Sequence, residues 1–356
     1  MHSPEMSSAG AGRSSPGRQA HSSRRASAAG RGDAEPPTAS AAPPDDDDDG
    51  DSAPPPATDD AHAAVFERYR ALLFHIAYRM LGTVSDAEDV LQEAWIRWQR
   101  GGAEPVQRPK GYLSQMVTRL AIDRLREVQR ARATYIGPWL PEPLLTVPDS
   151  APDAGEVSAR AESLRLGFLL LLEQLGPIER AVFVLREGFD YDYAEIAALV
   201  GKRESNCRQI LARARKRLRA QEQAAPADPA SGAEASRDQV ANAFIMAIAG
   251  RDLAAIERML APDAVFRSDG GGVVSAARNP IVGSNRVARF LVGVQRKYAH
   301  HQLRIRRVAV NDEPGLALYI GPAPYNIMAF DIAAGRVRAI RAVMNPNKLA
   351  HLYDAI

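Results

Sequence analysis

The chain has 356 residues, 46% of them hydrophobic, and a formal net charge of +2 at neutral pH. That length supports two or three domains with buried cores, and no run of about 18 uncharged apolar residues marks a membrane span. One cysteine, Cys207, excludes an internal disulfide framework and fits a reducing cytoplasm. The seven His are scattered without metal-ligand spacing and no phosphate-loop or secretory signature is present, so neither a metal nor a cofactor is expected. Charge is unevenly spread: residues 1–60 hold five Arg against eleven acids, −6, which leaves +8 for residues 61–356. A basic body behind an acidic tail points to a polyanionic partner.

Taken in order, residues 1–60 are rich in Ser, Ala, Gly and Pro and carry the acid run Asp45 to Asp49. Such a segment cannot bury enough apolar surface to offset the entropy of ordering it, so a disordered acidic tail is expected. From residue 61, Phe66, Tyr69, Leu72, Leu73, Ile76, Ala77 and Met80 mark one face of a helix ending near Gly82. Ser85 and Glu88 predict a capping box opening a helix over Asp86–Gln99. Its inner face is Ala87, Val90, Leu91, Ala94, Trp95 and Trp98, while Asp86, Asp89, Gln92, Glu93 and Arg97 lie opposite. A third helix, Gly111–Arg130, buries Leu113, Met116, Val117, Leu120, Ala121 and Leu125 and displays Arg119, Asp123, Arg124, Arg126 and Arg130. Residues 97–132 carry nine basic residues against three acids, so this bundle has a basic face.

A proline-rich linker over 133–160 holds Trp139-Leu-Pro-Glu-Pro143, where the prolines limit chain entropy and the indole offers a large anchor. Within the next body, 161–220, Asp192 and Glu195 predict a capped helix that stops at Gly201. A second helix follows with Cys207, Ile210, Leu211, Ala214 and Leu218 in one stripe, placing Cys207 in the core. Helix, glycine turn and second helix are the layout of a helix-turn-helix. Residues 201–220 hold eight Lys or Arg and one acid, which suits a duplex carrying a charge about every 1.7 Å of axis. After a linker at 221–233, the pattern over 234–356 is mixed. Ser236–Ala249, Leu253–Leu260 and Ser284–Tyr298 read as helices. Gln302–Val310, Leu316–Gly321, Tyr325–Ile332 and Arg336–Met344 read as strands bounded by Gly, Pro or Asn, an α+β layout.

The succession FERYRALLFHIAYRMLG, SDAEDVLQEAWIRW, GYLSQMVTRLAIDRLR and LGPIERAVFVLREGFDYDYAEIAALVG resembles the extracytoplasmic-function sigma factors over residues 61–220. The resemblance implies two all-α sigma domains: region 2 (61–132), a helical bundle, and region 4 (161–220), a helix-turn-helix. It implies that Asp86, Asp89, Gln92 and Glu93 dock on the β′ clamp helices of core RNA polymerase, with the β flap a further contact. Arg108, Lys110, Arg119, Asp123 and Arg126 would open and read the minus-ten element, with Tyr112 a candidate for stacking on a base. Lys202, Arg203, Ser205, Asn206, Arg208, Gln209 and Arg213 would read the minus-thirty-five element, and Arg215 and Lys216 would serve backbone or polymerase.

Three short sequences resemble one branch of that family, whose C-terminal domain is SnoaL/NTF2-like, an α+β cone. They are Trp139, Pro141 and Glu142 in WLPEP; Asp269, Gly270, Gly271 and Gly272 in DGGG; and Asn345, Pro346, Lys348 and Leu349 in NPNKL. The last is usually written NPDKL, so Asn347 departs from the pattern. In that branch the domain is a fused regulator meeting the sigma core and linker. Some proteins of this fold are enzymes with an Asp or His base, for which Asp269, Asp331, His300 and His301 are the candidates. No acid–base pair is fixed by their context, and fold does not confer function; catalysis is not expected, and a small-molecule ligand in the cone is the more plausible further partner. The expectation is a cytoplasmic sigma factor that binds core polymerase and promoter DNA, modulated by its last domain. The competing classes are a one-component regulator sensing a small molecule, and a SnoaL-like enzyme tethered to DNA.

Overall fold

The three apolar stripes at the start become three packed helices, α1 (Asp59–Leu81), α2 (Val84–Arg100) and α3 (Pro109–Arg132). Leu73, Ile76, Ala77, Ala87, Ala94, Leu113, Val117 and Leu125 lie between them, each fully enclosed. In this computed structural model residues 59–100, 106–146, 165–222, 234–299 and 303–353 are described, all inside a compact unit spanning 54–356. The expected tail up to residue 58, linker residues 147–160 and 223–233, and His300 and His301 lie outside the described residues.

The second body contains α4 (Leu166–Leu172), α5 (Pro177–Phe183) running into a π-helical turn at Val184–Gly188, α6 (Tyr193–Val200) and α7 (Glu204–Glu222). Asp192 caps α6 as expected: its carboxylate accepts from Glu195 N at 2.7 Å, and Glu195 accepts from Asp192 N at 2.8 Å. The helix ends at Gly201 in a left-handed conformation (φ 66°), and Lys202 N returns to Ala197 O at 3.0 Å. Cys207, Ile210, Leu211, Ala214 and Leu218 are all buried, as the stripe requires. The Cys207 thiol is pushed up, first by burial and then by Glu204.

The third body has α8 (Glu234–Ala249), α9 (Leu253–Met259) and α10 (Ser284–Lys297) against a seven-stranded sheet. The strands are β1 (Leu145–Thr146), β2 (Leu260–Asp269), β3 (Ile281–Val282), β4 (Leu303–Val310), β5 (Glu313–Ile320), β6 (Ala323–Ala333) and β7 (Arg336–Val343), in the order β1-β4-β5-β6-β7-β2-β3. Among the described strands only the β2–β7 pair is parallel. Phe244, Ile256, Val287, Phe266, Phe330 and Ile340 fill one side. On the other side Ala317, Tyr319, Ile327, Ala329 and Val343 join the apolar cluster that runs through α1–α7. The sheet is therefore covered on both faces, which is why β6 and β7 are almost continuously buried instead of alternating.

Three features differ from the sequence expectation. Leu260–Asp269 is a full strand: the pattern leaves 261–269 unassigned and reads Leu260 as helical, because the long parallel partner β7 lies about 75 residues further on and leaves no local signature. Linker residues 145 and 146 form β1, pairing with Ala309 and Val310. The Ser85–Glu88 capping box does not open α2. Ser85 Oγ donates to Glu142 at 3.0 Å, Glu88 accepts from Arg70 at 2.7 Å, and the helix begins at Val84.

Candidate functional site

Four surfaces carry the singled-out residues. The first is a groove of about 670 Å³ between α1 and α2, lined by Phe66, Arg70, Glu88, Asp89, Gln92 and Trp95. Asp89, Gln92 and Glu93 are exposed on α2, Glu93 holding Arg97 at 2.7 Å. Asp86 is different. It is buried, its carboxylate accepting from Thr83 Oγ1 and from Arg124 of α3 at 2.8 Å, so it braces α2 against α3 instead of facing outward.

The second surface is the outer side of α3 and the turn before it, where Arg108, Lys110, Arg119, Asp123 and Arg126 are all exposed. Arg126 donates to Asp123 at 2.6 Å. Tyr112 is 41% exposed, so this aromatic belongs to the surface. Another side of α3 meets the helix-turn-helix body: Ser114 Oγ and Tyr191 OH are 2.8 Å apart, and Gln115 Nε2 donates to Ala198 O at 2.7 Å.

The third surface is α7 with its turn. Lys202, Arg203, Ser205, Arg208, Gln209 and Arg213 are exposed and Asn206 is half-buried. Arg208 pairs with Glu204 at 2.8 Å and lies over the Tyr193 ring. Arg215 and Arg217 are tied back to Glu187 and Glu179, each at 2.6 Å.

The fourth surface is a buried junction where the linker meets the sheet domain. Asp269 ends β2 and Asn345 follows β7, and the parallel pairing of those strands brings DGGG and NPNKL to one end of the sheet. Asp269 is fully enclosed. One carboxylate oxygen accepts from Tyr135 OH at 2.6 Å and Gly271 N at 3.0 Å, and the other from Leu140 N at 2.8 Å and Lys348 Nζ at 2.7 Å. Lys348 Nζ also donates to Leu140 O and sits 4.2 Å from the Trp139 ring centroid. Burial lowers the Lys348 pKa to about 8 against the opposing pull of Asp269. Asn345 Nδ2 donates to Tyr135 OH at 2.9 Å. A Cβ on Gly271 (φ 60°) would stand 2.2 Å from that amide nitrogen, so only glycine fits the turn.

Trp139 lies under the Arg132 guanidinium, 3.6 Å from its ring centroid, and packs on Gly82, whose hypothetical Cβ would be 2.9 Å from the indole. Glu142 is buried and accepts from Val84 N at 2.7 Å and Ser85 N at 3.1 Å, while its backbone carbonyl accepts from Tyr78 OH at 2.6 Å. Pro141 and Leu349 are buried, Gly270 is buried, Gly272 is exposed and Pro346 is half-buried. The structure thus joins all three short sequences. It adds Arg132, Tyr135 and Asn311, which carry no motif of their own and become visible only through contacts between distant segments.

A separate charged cluster sits where the sheet meets α4. Glu313 is buried beside Arg341 (3.5 Å), and Arg341 also reaches Asp331 at 3.1 Å. Burial pushes the Glu313 carboxyl up to about 7, opposed by Arg341. Asp331 is thus engaged with arginines, and Asp269 has both oxygens occupied; neither is a free base. Among the described residues no group of three His, Cys, Asp or Glu could hold a metal, and no helix is long and apolar enough to cross a membrane.

Comparison with known proteins follows the same division. A Sigma-70 region 2 model matches residues 65–131, and a Sigma-70, region 4 model matches residues 165–218. The chain is 36% identical over 292 residues to the ECF RNA polymerase sigma factor SigJ of Mycobacterium tuberculosis (strain ATCC 25618 / H37Rv), covering 80% of this chain and 91% of that protein. It is 30% identical over 293 residues to the probable ECF RNA polymerase sigma factor SigI of the same strain, covering 82% and 95%. The crystal structure of M. tuberculosis SigJ matches with a TM-score of 0.64 and 32% identity, over 81% of this chain and 98% of that one.

Proposed function

The chain belongs to the extracytoplasmic-function RNA polymerase sigma factors, and from that premise we propose how its surfaces share the work. Regions 2 and 4 bind core RNA polymerase and promoter DNA, and a SnoaL-like domain is fused behind them. Asp89, Gln92 and Glu93 dock on the β′ clamp helices, with Phe66 and Trp95 as the apolar floor of the groove; Asp86 is the brace beneath them. Arg108, Lys110, Arg119 and Arg126 hold phosphates of the minus-ten element, and Asp123 and Tyr112 receive an unstacked base. Lys202, Arg203, Ser205, Asn206, Arg208, Gln209 and Arg213 enter the major groove of the minus-thirty-five element, and region 4 also meets the β flap. The work is recruitment and strand opening, without covalent chemistry.

The observation that carries the regulatory part is the contact between the two DNA-reading bodies, Ser114 to Tyr191 at 2.8 Å. Boxes about 25 base pairs apart are separated by roughly 85 Å at about 3.4 Å per step. Two readers packed side by side do not span that distance, so this is a closed arrangement that must open on the promoter. Asp269, Lys348 and Asn345 hold it by gripping the linker, together with Trp139, Pro141, Glu142, Gly270 to Gly272, Pro346 and Leu349. A small molecule in the cone would act only through different affinities for the closed and open forms.

The test is co-purification with core polymerase and in vitro transcription by the full chain and by Asp89→Arg. Loss of both in the variant is expected. A one-component regulator would be indifferent to that change, and retained core binding would move docking elsewhere.

A further inference from the structure

A helix begins with four backbone N–H groups that lack partners inside the helix. For α2 two of them, Val84 N and Ser85 N, are satisfied by Glu142, which lies 58 and 57 residues away in the linker. The other carboxylate oxygen of Glu142 accepts from Ser85 Oγ at 3.0 Å. A buried negative charge at this end also opposes the partial positive charge of the helix dipole. Neither local candidate takes that role: Thr83, just before α2, donates to Asp86, and Glu88 is turned to Arg70.

The linker segment 140–144 is gripped from both sides. Region 2 holds residue 142: Glu142 N donates to Gly82 O at 2.9 Å, and Tyr78 OH donates to Glu142 O at 2.6 Å. The C-terminal domain holds the residues around it. Asp269 accepts from Leu140 N at 2.8 Å, His351 Nε2 lies 2.9 Å from Pro143 O, and Asn311 exchanges two bonds with the Leu144 backbone at 2.8 and 2.9 Å. Asn311 Nδ2 also reaches Tyr78 OH at 2.8 Å, closing the circuit between the two domains.

We propose that Glu142 is the positioning residue of the polymerase-docking helix, its N-terminal cap supplied by the linker. Through it the C-terminal domain's hold on residues 140–144 sets the orientation of Asp89, Gln92 and Glu93. The coupling is positive, because the grip on residues 140–144 keeps the Glu142 carboxylate on Val84 N and Ser85 N. By reciprocity, polymerase bound at α2 tightens that grip by the same factor. The proposal rests on the docking reading given above.

The experiment uses the full chain, with affinity for core polymerase and amide hydrogen exchange over residues 83–91 as readouts. Glu142→Ala is expected to weaken core binding about 3- to 30-fold, the range of a lost N-cap, and to speed exchange at Val84 and Ser85. Its binding to a minus-thirty-five duplex is expected to stay within about twofold. Asp269→Asn, which leaves Glu142 in place, is expected to speed exchange at the same two amides. Should Glu142→Ala fold poorly, Glu142→Gln, with one accepting oxygen and no charge, is expected to give a smaller loss of the same kind. Core affinity and exchange unchanged in a folded Glu142 variant overturn the capping role, and unchanged exchange in Asp269→Asn overturns the link to the C-terminal domain. Asp89→Arg alongside separates the two readings. If it binds normally, docking on α2 is wrong and the coupling falls with it; if it alone is weak, only the Glu142 role is lost.

Discussion

The proposed docking face of α2 and the linker junction are both built around carboxylates, and they use them in opposite ways. Asp89 and Glu93 are exposed, Glu93 pairing with Arg97 one turn on in its own helix. Asp269 and Glu142 are enclosed, and between them they accept seven hydrogen bonds from Tyr135, Leu140, Gly271, Lys348, Val84 and Ser85, the last giving two. A buried charge without partners is costly, so such a site tolerates little change. An exposed one leaves the fold indifferent and matters only when something binds. The same residue type thus braces the interior at one place and stays available at the surface at the other.

The strongest break in that contrast is Asp269→Ala, which leaves Lys348 enclosed without its counter-charge. Removing one member of a buried pair costs about 3–5 kcal/mol, so chemical denaturation is expected to show a large loss, and scattering an expanded chain. Next is Asp89→Arg, expected to weaken core polymerase binding tenfold or more, about 1.4 kcal/mol, while the denaturation midpoint barely moves. The Glu313 cluster gives a pH test. Its carboxyl is pushed up from 4.5 to about 7 by burial, against Arg341 and Arg165 and with Asp331 adding to the rise. A raised carboxyl pKa contributes stability that is present below about 4.5 and lost as pH rises through about 7. Stability relative to Glu313→Gln is expected to fall across that window, and a flat difference would remove the group from the contact. Tyr135→Phe deletes one donor to Asp269 and is expected to cost about 1 kcal/mol by denaturation. Arg97→Ala, at an exposed pair with Glu93, is expected to change stability by less than about 0.5 kcal/mol.

Much of the helical part was legible because its signals are local. Asp192 with Glu195, Gly201 and the stripe from Cys207 to Leu218 lie within a few turns of one another and are found where the sequence places them. The misses share a cause. Ser85 and Glu88 have capping chemistry, but Glu142 and Arg70 claim them from distant segments. Asp86 looks like its exposed neighbours until Arg124, 38 residues on, is seen to hold it. β2 contains Pro262 and Asp263 and pairs with a strand far along the chain, so period and flanking residues did not announce it. The resemblance to a motif branch picked out Trp139, Asp269 and Lys348. It could not supply Tyr135 or Asn311, whose role is only where they end up.

That β2 and β7 run side by side in the same direction has a consequence for how such a protein can change over generations. Asp269 and Asn345 leave neighbouring strands at the same end, their separation fixed by five paired positions from Val265–Ala339 to Asp269–Val343 and an offset between Leu260 and Val265. The length of chain between them does not enter. Loops between 273 and 335 can gain or lose residues in a lineage without moving the two halves of the clasp, whereas a one-residue slip within either strand would turn one of them to the wrong side of the sheet.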